Sequence, residues 1–241
     1  MLARILPDRA AAAERFDDRE PVAPHPEEEA VVAGSATGRR AAFHTVRLCA
    51  RLAMADLGVP PAPVLPGPKG EPRWPGGLVG SMTHCAGFRG AAVAASADLA
   101  GLGIDAEPHG PLRPGVLEYV ALPAERARHA RLVRTDPSVH WDRLLFSAKE
   151  AVYKVWFPLT RSWLDFDGAD ITLLPDGRLT ARLLVPGPYV AGHRVGTLHG
   201  RWLVAGGLAL TAVALGAAGD AVTPRTPPPG DDTCKQAACN S

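Results

Sequence analysis

Cysteine, excess charge and long apolar runs are all scarce in this chain, and each scarcity excludes something. Only four cysteines occur in 241 residues. Cys49 falls in a predicted helix, Cys85 follows a histidine, and Cys234 and Cys239 lie in a polar tail. None has zinc-ligand spacing, and the pattern suits an intracellular protein. Charge of one sign is also missing: 26 Lys and Arg against 25 Asp and Glu leave a formal charge of +1. There is thus no electrostatic reason to expect nucleic acid, although local basic clusters can still meet an acidic partner. No segment reaches the roughly 18 uncharged apolar residues of a bilayer span, and no basic start with an apolar run and a small-residue cleavage site marks a leader. A cytoplasmic protein with no membrane partner is expected. Its 46% hydrophobic content is enough for a real core, in one large domain or two small ones.

What is present falls into a repeating order. Residues 1–36 mix acidic runs with prolines and are expected to wrap the surface loosely. From Gly38 to Leu57, Phe43, Val46, Ala50, Ala53, Met54 and Leu57 recur at helical spacing, with Gly58 and Pro60 as stop signals. The stretch from Pro60 to Gly77 is dense in Pro and Gly and reads as a loop carrying Lys69, Arg73 and Trp74. Strand-like runs follow near Leu78–Ser81, Gly90–Ala95 and Leu102–Glu107. Helices are expected from Pro123 and from Val139 to Phe157, the latter stopped by Pro158. Further strands are expected at Ala169–Leu174, Leu179–Val185, Arg194–Val204 and Leu208–Leu215, with a hairpin at Pro175-Asp176-Gly177. The tail after Gly216 is too rich in proline to build a core and reads as disordered. Trp141, Trp156 and Trp163 read as core, whereas Trp74 fits a ring-stacking contact and a core plug equally well.

Each half therefore reads as a long helix followed by short antiparallel strands. An α+β fold of two pseudo-symmetric halves, with a cleft between them, is the expected architecture. The halves are set at residues 1–103 and 104–215.

Two acidic segments carry the chemistry. In Gly103-Ile104-Asp105-Ala106-Glu107-Pro108 the period of two puts Asp105 and Glu107 on one strand face. In Phe146-Ser147-Ala148-Lys149-Glu150-Ala151-Val152-Tyr153-Lys154, Glu150 and Lys154 are one helical turn apart. Three hard oxygen donors beside lysines suit Mg²⁺ and a phosphate-bearing substrate better than zinc or a redox metal. Alone, Glu150 and Lys154 read first as a surface pair worth about 0.3–0.5 kcal/mol. The arginines at 39, 40, 47 and 51 read alone as a solvated helix face, and so do Arg113, Arg126, Arg128, Arg131 and Arg134, a face that would attract an acidic partner.

In order, Gly38-Arg39-Arg40 with Phe43 and Arg47-Leu48-Cys49-Ala50-Arg51, then Lys69-Gly70-Glu71-Pro72, Gly80-Ser81-Met82-Thr83-His84-Cys85, Gly-Ile-Asp-Ala-Glu-Pro and Lys-Glu-Ala-x-x-Lys resemble the 4'-phosphopantetheinyl transferases. The resemblance is to the surfactin-synthetase-activating type, in the branch similar to enterobactin synthetase component D, and covers roughly Gly38 to Leu215. It implies a monomer that binds coenzyme A between its halves. It also implies the reaction, transfer of the 4'-phosphopantetheine arm of coenzyme A to a serine hydroxyl of an acyl or peptidyl carrier protein of fatty-acid, polyketide or nonribosomal peptide synthesis. Asp105, Glu107 and Glu150 match the ligands of Mg²⁺, with Mn²⁺ as an alternative. Ala106 stands where other members place a polar residue between the two acids. Arg39, Arg47, Lys69 and His84 match contacts to coenzyme A, joined by Ser81, Lys149 and Lys154, with Arg40 and Arg73 in less certain register. Glu150 is the implied base, directly or through a water, and Lys154 the group that steadies the leaving phosphate, beside Asp105. Two other functions fit the same residues: a metal-dependent hydrolase of the coenzyme A pyrophosphate, and a coenzyme A sensor without turnover.

Overall fold

A computed structural model describes residues 1–20 and 22–222. The N-terminal part holds β1 (Ala10–Arg15), α1 (Pro26–Val32), α2 (Thr37–Asp56), the two-residue strands β2 (Leu65–Pro66) and β3 (Pro72–Arg73), then β4 (Leu78–Cys85), β5 (Phe88–Ala95) and β6 (Leu99–Pro108). Three helices follow: α3 (Val116–Val120), α4 (Pro123–Thr135) and α5 (Trp141–Thr160). The chain continues through β7 (Ala169–Leu173), β8 (Arg178–Leu183), β9 (Tyr189–Val190), β10 (His193–Arg194), β11 (Thr197–Ala205) and β12 (Leu208–Gly216). Two antiparallel sheets dominate, one ordered β1-β5-β4 and one ordered β6-β12-β11-β8-β7. The fold is α+β, as expected.

The two long helices lie where their apolar stripes have a sheet to cover. In α2, Cys49, Ala50, Ala53 and Met54 are buried with Ala91 and Val93 of β5. The helix ends where the periodicity stops. Gly58, at φ +72°, donates to Ala55 O, and Val59 donates to Met54 O, the paired bonds of a left-handed glycine cap. In α5, Leu144, Leu145, Ala148, Ala151, Val152 and Val155 belong to the core of the larger sheet. Gly103 lets this helix settle on β6, because a Cβ there would stand 2.1 Å from Ala151 O. The approach brings the helix stripe bearing Glu150 and Lys154 over the strand bearing Asp105.

Several expectations are corrected. Residues 1–36 are not a loose wrap. Leu2, Ile5 and Leu6 are buried in a core with Phe88 and Ile104, and β1 pairs with β5 along its whole length. In α1, Glu28 is fully buried: it accepts the Val64 N–H at 2.8 Å and pairs with Arg51 at 2.7 Å. Residues this acidic go inside only because a guanidinium and a backbone amide meet them there. Leu6→Ala is therefore expected to cost about 2–5 kcal/mol, read as a shift in the urea midpoint. Pro158 does not end α5, which runs on to Thr160 and stops when Arg161 turns left-handed at φ 56° and donates to Phe157 O. Only one hydrogen bond is lost to the proline, and the last turn tolerates it. Trp163 is not core. It is 70% exposed just after the helix cap, its ring against Tyr153 and its Nε1 donating to Asp165. The boundary set at Gly103 falls inside β6, a continuous strand. Of the tail after Gly216, residues 217–222 form a turn with a bridge from Ala221 to Leu215, and the remainder lies outside the described residues.

Candidate active site

The sheets meet where β4 runs beside β6, and two hydroxyls make the join. Ser81 Oγ accepts the Ile104 N–H at 3.1 Å, and Thr83 Oγ1 accepts the Ala106 N–H at 3.1 Å. Thr83 also donates to Asp105 Oδ1 at 3.3 Å. Beside this seam opens a cleft of about 880 Å³, walled by α2, the loop from Pro66 to Pro72, β4 and α5. Asp105, Glu150, Tyr153 and Lys154 line it together with Arg39, Arg47, Lys69 and His84.

The carboxylates are electrically coupled. Asp105 is buried and accepts from Lys154 Nζ at 2.8 Å, while its Oδ2 is buried with no hydrogen-bond partner among the described residues. Burial raises the pKa of Glu150, and the charge of Asp105 raises it further. No hydrogen bond or ion pair holds the Glu150 carboxylate, among the described residues. Glu107 is likewise pushed up, first by burial and then by Asp105, with Arg143 opposing the shift. It is not among the residues that line the cleft, and its Oε2 accepts from Arg143 Nη1 at 3.0 Å. With Asp105 on Lys154 and Glu107 on Arg143, no three Asp, Glu, His or Cys side chains among the described residues form a ready-made cation cage.

The cations differ in how free they are. Arg39 and Lys69 are exposed at the cleft wall. Arg47 is buried, its guanidinium 3.2 Å from the Phe43 ring centroid and its Nε donating to Val64 O at 2.9 Å. Burial pushes its pKa down to about 10, so it remains a cation at neutral pH. Val64 is thus gripped on both sides, by Glu28 at its N–H and Arg47 at its carbonyl, and this anchors the loop that carries Lys69. His84 sits at the rim, its pKa lowered by burial and by Arg89 and Lys154.

Of the expected contacts, Arg40, Arg73 and Lys149 lie outside the cleft lining, and Ser81 is within it. Arg40 pairs with Glu29 of α1. Arg73 borders an adjoining cavity of about 470 Å³ with Trp74 and Arg161. Trp74 donates to Gly80 O at 2.9 Å, and its ring stands 2.8 Å from where a Cβ on that glycine would fall. Ser81 is buried and engaged in the seam. Lys149 is the clearest correction. It faces away from the cleft, its side chain 3% exposed, and bonds Glu125 at 3.0 Å, Ala169 O at 2.9 Å and Phe166 O. It stands five positions before Lys154, which turns it about 140° round the helix. Arg128 likewise leaves the solvated face of α4 to pair with Asp170.

Two residues near the acids escaped the sequence reading. Thr83 carried no signal of its own, since its role depends on β4 lying beside β6. Arg143 did carry one: it stands seven residues before Glu150, two turns up the same helix face.

A cleft lined by cations, carboxylates and a lysine has the chemistry to receive a phosphorylated small molecule. Comparison with known proteins narrows this. Residues 27–94 match the model of the 4'-phosphopantetheinyl transferase N-terminal domain, and residues 101–206 match that of the 4'-phosphopantetheinyl transferase superfamily. The chain belongs to this family. It is 56% identical over 221 residues to the 4'-phosphopantetheinyl transferase Svp of Streptomyces mobaraensis, covering 90% of each chain. To the 4'-phosphopantetheinyl transferase PptT of Mycobacterium tuberculosis it is 50% identical over 225 residues, 89% of this chain and 98% of that one. A more distant relative is the enterobactin synthase component D of Salmonella typhi, 30% identical over 186 residues, 74% of each chain. No helix among the described residues is long and apolar enough to cross a membrane.

Proposed function

We propose that this transferase binds coenzyme A in the cleft beside the β4–β6 seam and moves its 4'-phosphopantetheine arm to a carrier-protein serine, releasing adenosine 3',5'-bisphosphate. The observation that carries the site assignment is the convergence of Asp105, Glu150 and Lys154 on one cleft with Arg39, Arg47, Lys69 and His84. Coenzyme A bears a 3'-phosphate as well as a pyrophosphate, so scattered cations suit it better than one glycine-rich loop. A guanidinium can grip phosphate through two N–H groups, and His84 adds one directed bond.

The serine oxygen bonds to the β-phosphorus, and the bond from that phosphorus to the departing nucleotide's oxygen breaks. Glu150 takes the serine proton. Its raised pKa brings it closer to the working pH, which suits a base. Lys154, already balancing Asp105, offsets the charge that builds on the leaving group. Asp105, Glu107 and Glu150 would hold Mg²⁺ or Mn²⁺. The all-oxygen donor set and the unpartnered Asp105 Oδ2 fit such an ion, which when bound neutralises pyrophosphate charge. The acceptors are carrier proteins of fatty-acid, polyketide or nonribosomal peptide synthesis, and the enzyme acts as a cytoplasmic monomer.

Intact-mass spectrometry of an apo carrier protein with this enzyme, coenzyme A and Mg²⁺ tests the reading. One phosphopantetheine gained on the carrier serine, and lost when the metal is chelated, is expected. Cleavage of coenzyme A without carrier would point instead to a hydrolase, and binding without turnover across several carriers to a sensor.

A further inference from the structure

Arg143, Ser147, Glu150 and Lys154 follow one another at intervals of four, three and four residues, so they share one side of α5. That side rests on β6 and β12: Ser147 Oγ meets Thr211 Oγ1 at 2.8 Å, and Lys154 reaches Asp105. At the other end Arg143 reaches Glu107. The two cations thus bracket the two acids of β6.

The Arg143 contact is built differently from a surface ion pair. Nη1 donates to Glu107 Oε2 at 3.0 Å, Nε to Gly110 O at 3.1 Å and Nη2 to Pro111 O at 2.9 Å. All three guanidinium nitrogens are committed to different acceptors, so the fork cannot turn without losing bonds. The paired side chains are 19% and 23% exposed. Arg143 is also the single side-chain partner of the Glu107 carboxylate, among the described residues. The turn after Pro108 does not depend on Arg143 alone. Asp142 Oδ2 accepts the Leu112 N–H at 2.7 Å, and His109 Nε2 accepts the His140 N–H at 3.0 Å.

We infer that Arg143 is a positioning residue of the transfer site, holding the Glu107 carboxylate in the place from which it serves a divalent cation beside Asp105 and Glu150. The inference rests on the reading of those three carboxylates as cation ligands. An outer partner of this kind typically changes metal affinity about 10–100-fold.

The test is Mn²⁺ titration of the full chain, saturated with coenzyme A and without carrier, with free Mn²⁺ read by electron paramagnetic resonance. Arg143→Gln is expected to raise the Mn²⁺ Kd about 10–100-fold. Arg143→Lys, with one ammonium for three acceptors, gives a smaller rise. Asp142→Asn loosens the same turn and leaves the Kd unchanged. Circular dichroism establishes folding, and if Arg143→Gln does not fold, a raised Kd in Arg143→Lys carries the inference. A wild-type Kd in the folded Arg143 variants overturns it, as does an Asp142→Asn Kd as weak as theirs. If the wild-type protein binds coenzyme A but no Mn²⁺, the ligand reading itself fails and the inference falls with it.

Discussion

Glu150→Gln lowers the rate of carrier modification by about 10²–10⁴-fold, the usual worth of a positioned base, or by more if the cation is lost as well. The protein itself is expected to be no less stable. Glu150 is half-buried, makes no hydrogen bond or ion pair among the described residues, and stands near Asp105, so ionising it in the fold is unfavourable. The sign follows from that raised pKa. The native state holds the Glu150 proton more tightly than the unfolded chain, so native stability falls as pH rises from the unfolded pKa through the folded one. Above the folded pKa a neutral glutamine removes the penalty, and Tm stays level or rises. Carrier mass spectrometry and a thermal melt on one preparation check both halves. A large drop in Tm would mark Glu150 as structural, and an unchanged rate would remove it from the mechanism.

Lys149→Met has the opposite signature. Removing one partner of a buried ion pair typically costs about 3–5 kcal/mol. The ammonium joins α5 to Glu125 of α4 and to the carbonyls of Phe166 and Ala169. Glu125 would keep the N–H groups of Leu122 and Ile171, each at 2.7 Å, but its charge would be left without a counter-ion. The urea midpoint of Lys149→Met should fall sharply, while coenzyme A affinity measured well below the transition stays at the wild-type value. Adding Glu125→Gln should restore part of the loss, because the uncompensated charge goes with it. A variant of native stability that binds coenzyme A weakly would return Lys149 to the cleft.

These two neighbours show how far a motif carries and where packing takes over. The Lys-Glu pair at 149 and 150 is one continuous signal in the chain, yet one residue braces the core and the next faces the cleft. Helical geometry already separates them. Which face looks inward is decided by where Gly103 lets α5 settle on β6.

Much of the local chemistry was legible. The period of two placed Asp105 and Glu107 together, the apolar stripes marked α2 and α5, and Gly58 and Gly177 marked a cap and a hairpin, because each depends only on near neighbours or on φ. Partners distant in sequence were decided by the tertiary structure alone. Glu28 goes to the interior only once Arg51 and the Val64 amide are there to receive it. Thr83 becomes part of the site when β4 lies beside β6. Arg143 is fixed to Glu107 by a turn it helps to hold. A sequence pattern records which residues are apolar and how they recur. Whether a charge is buried depends on whether another part of the chain compensates its lost hydration, and that is settled only by the fold.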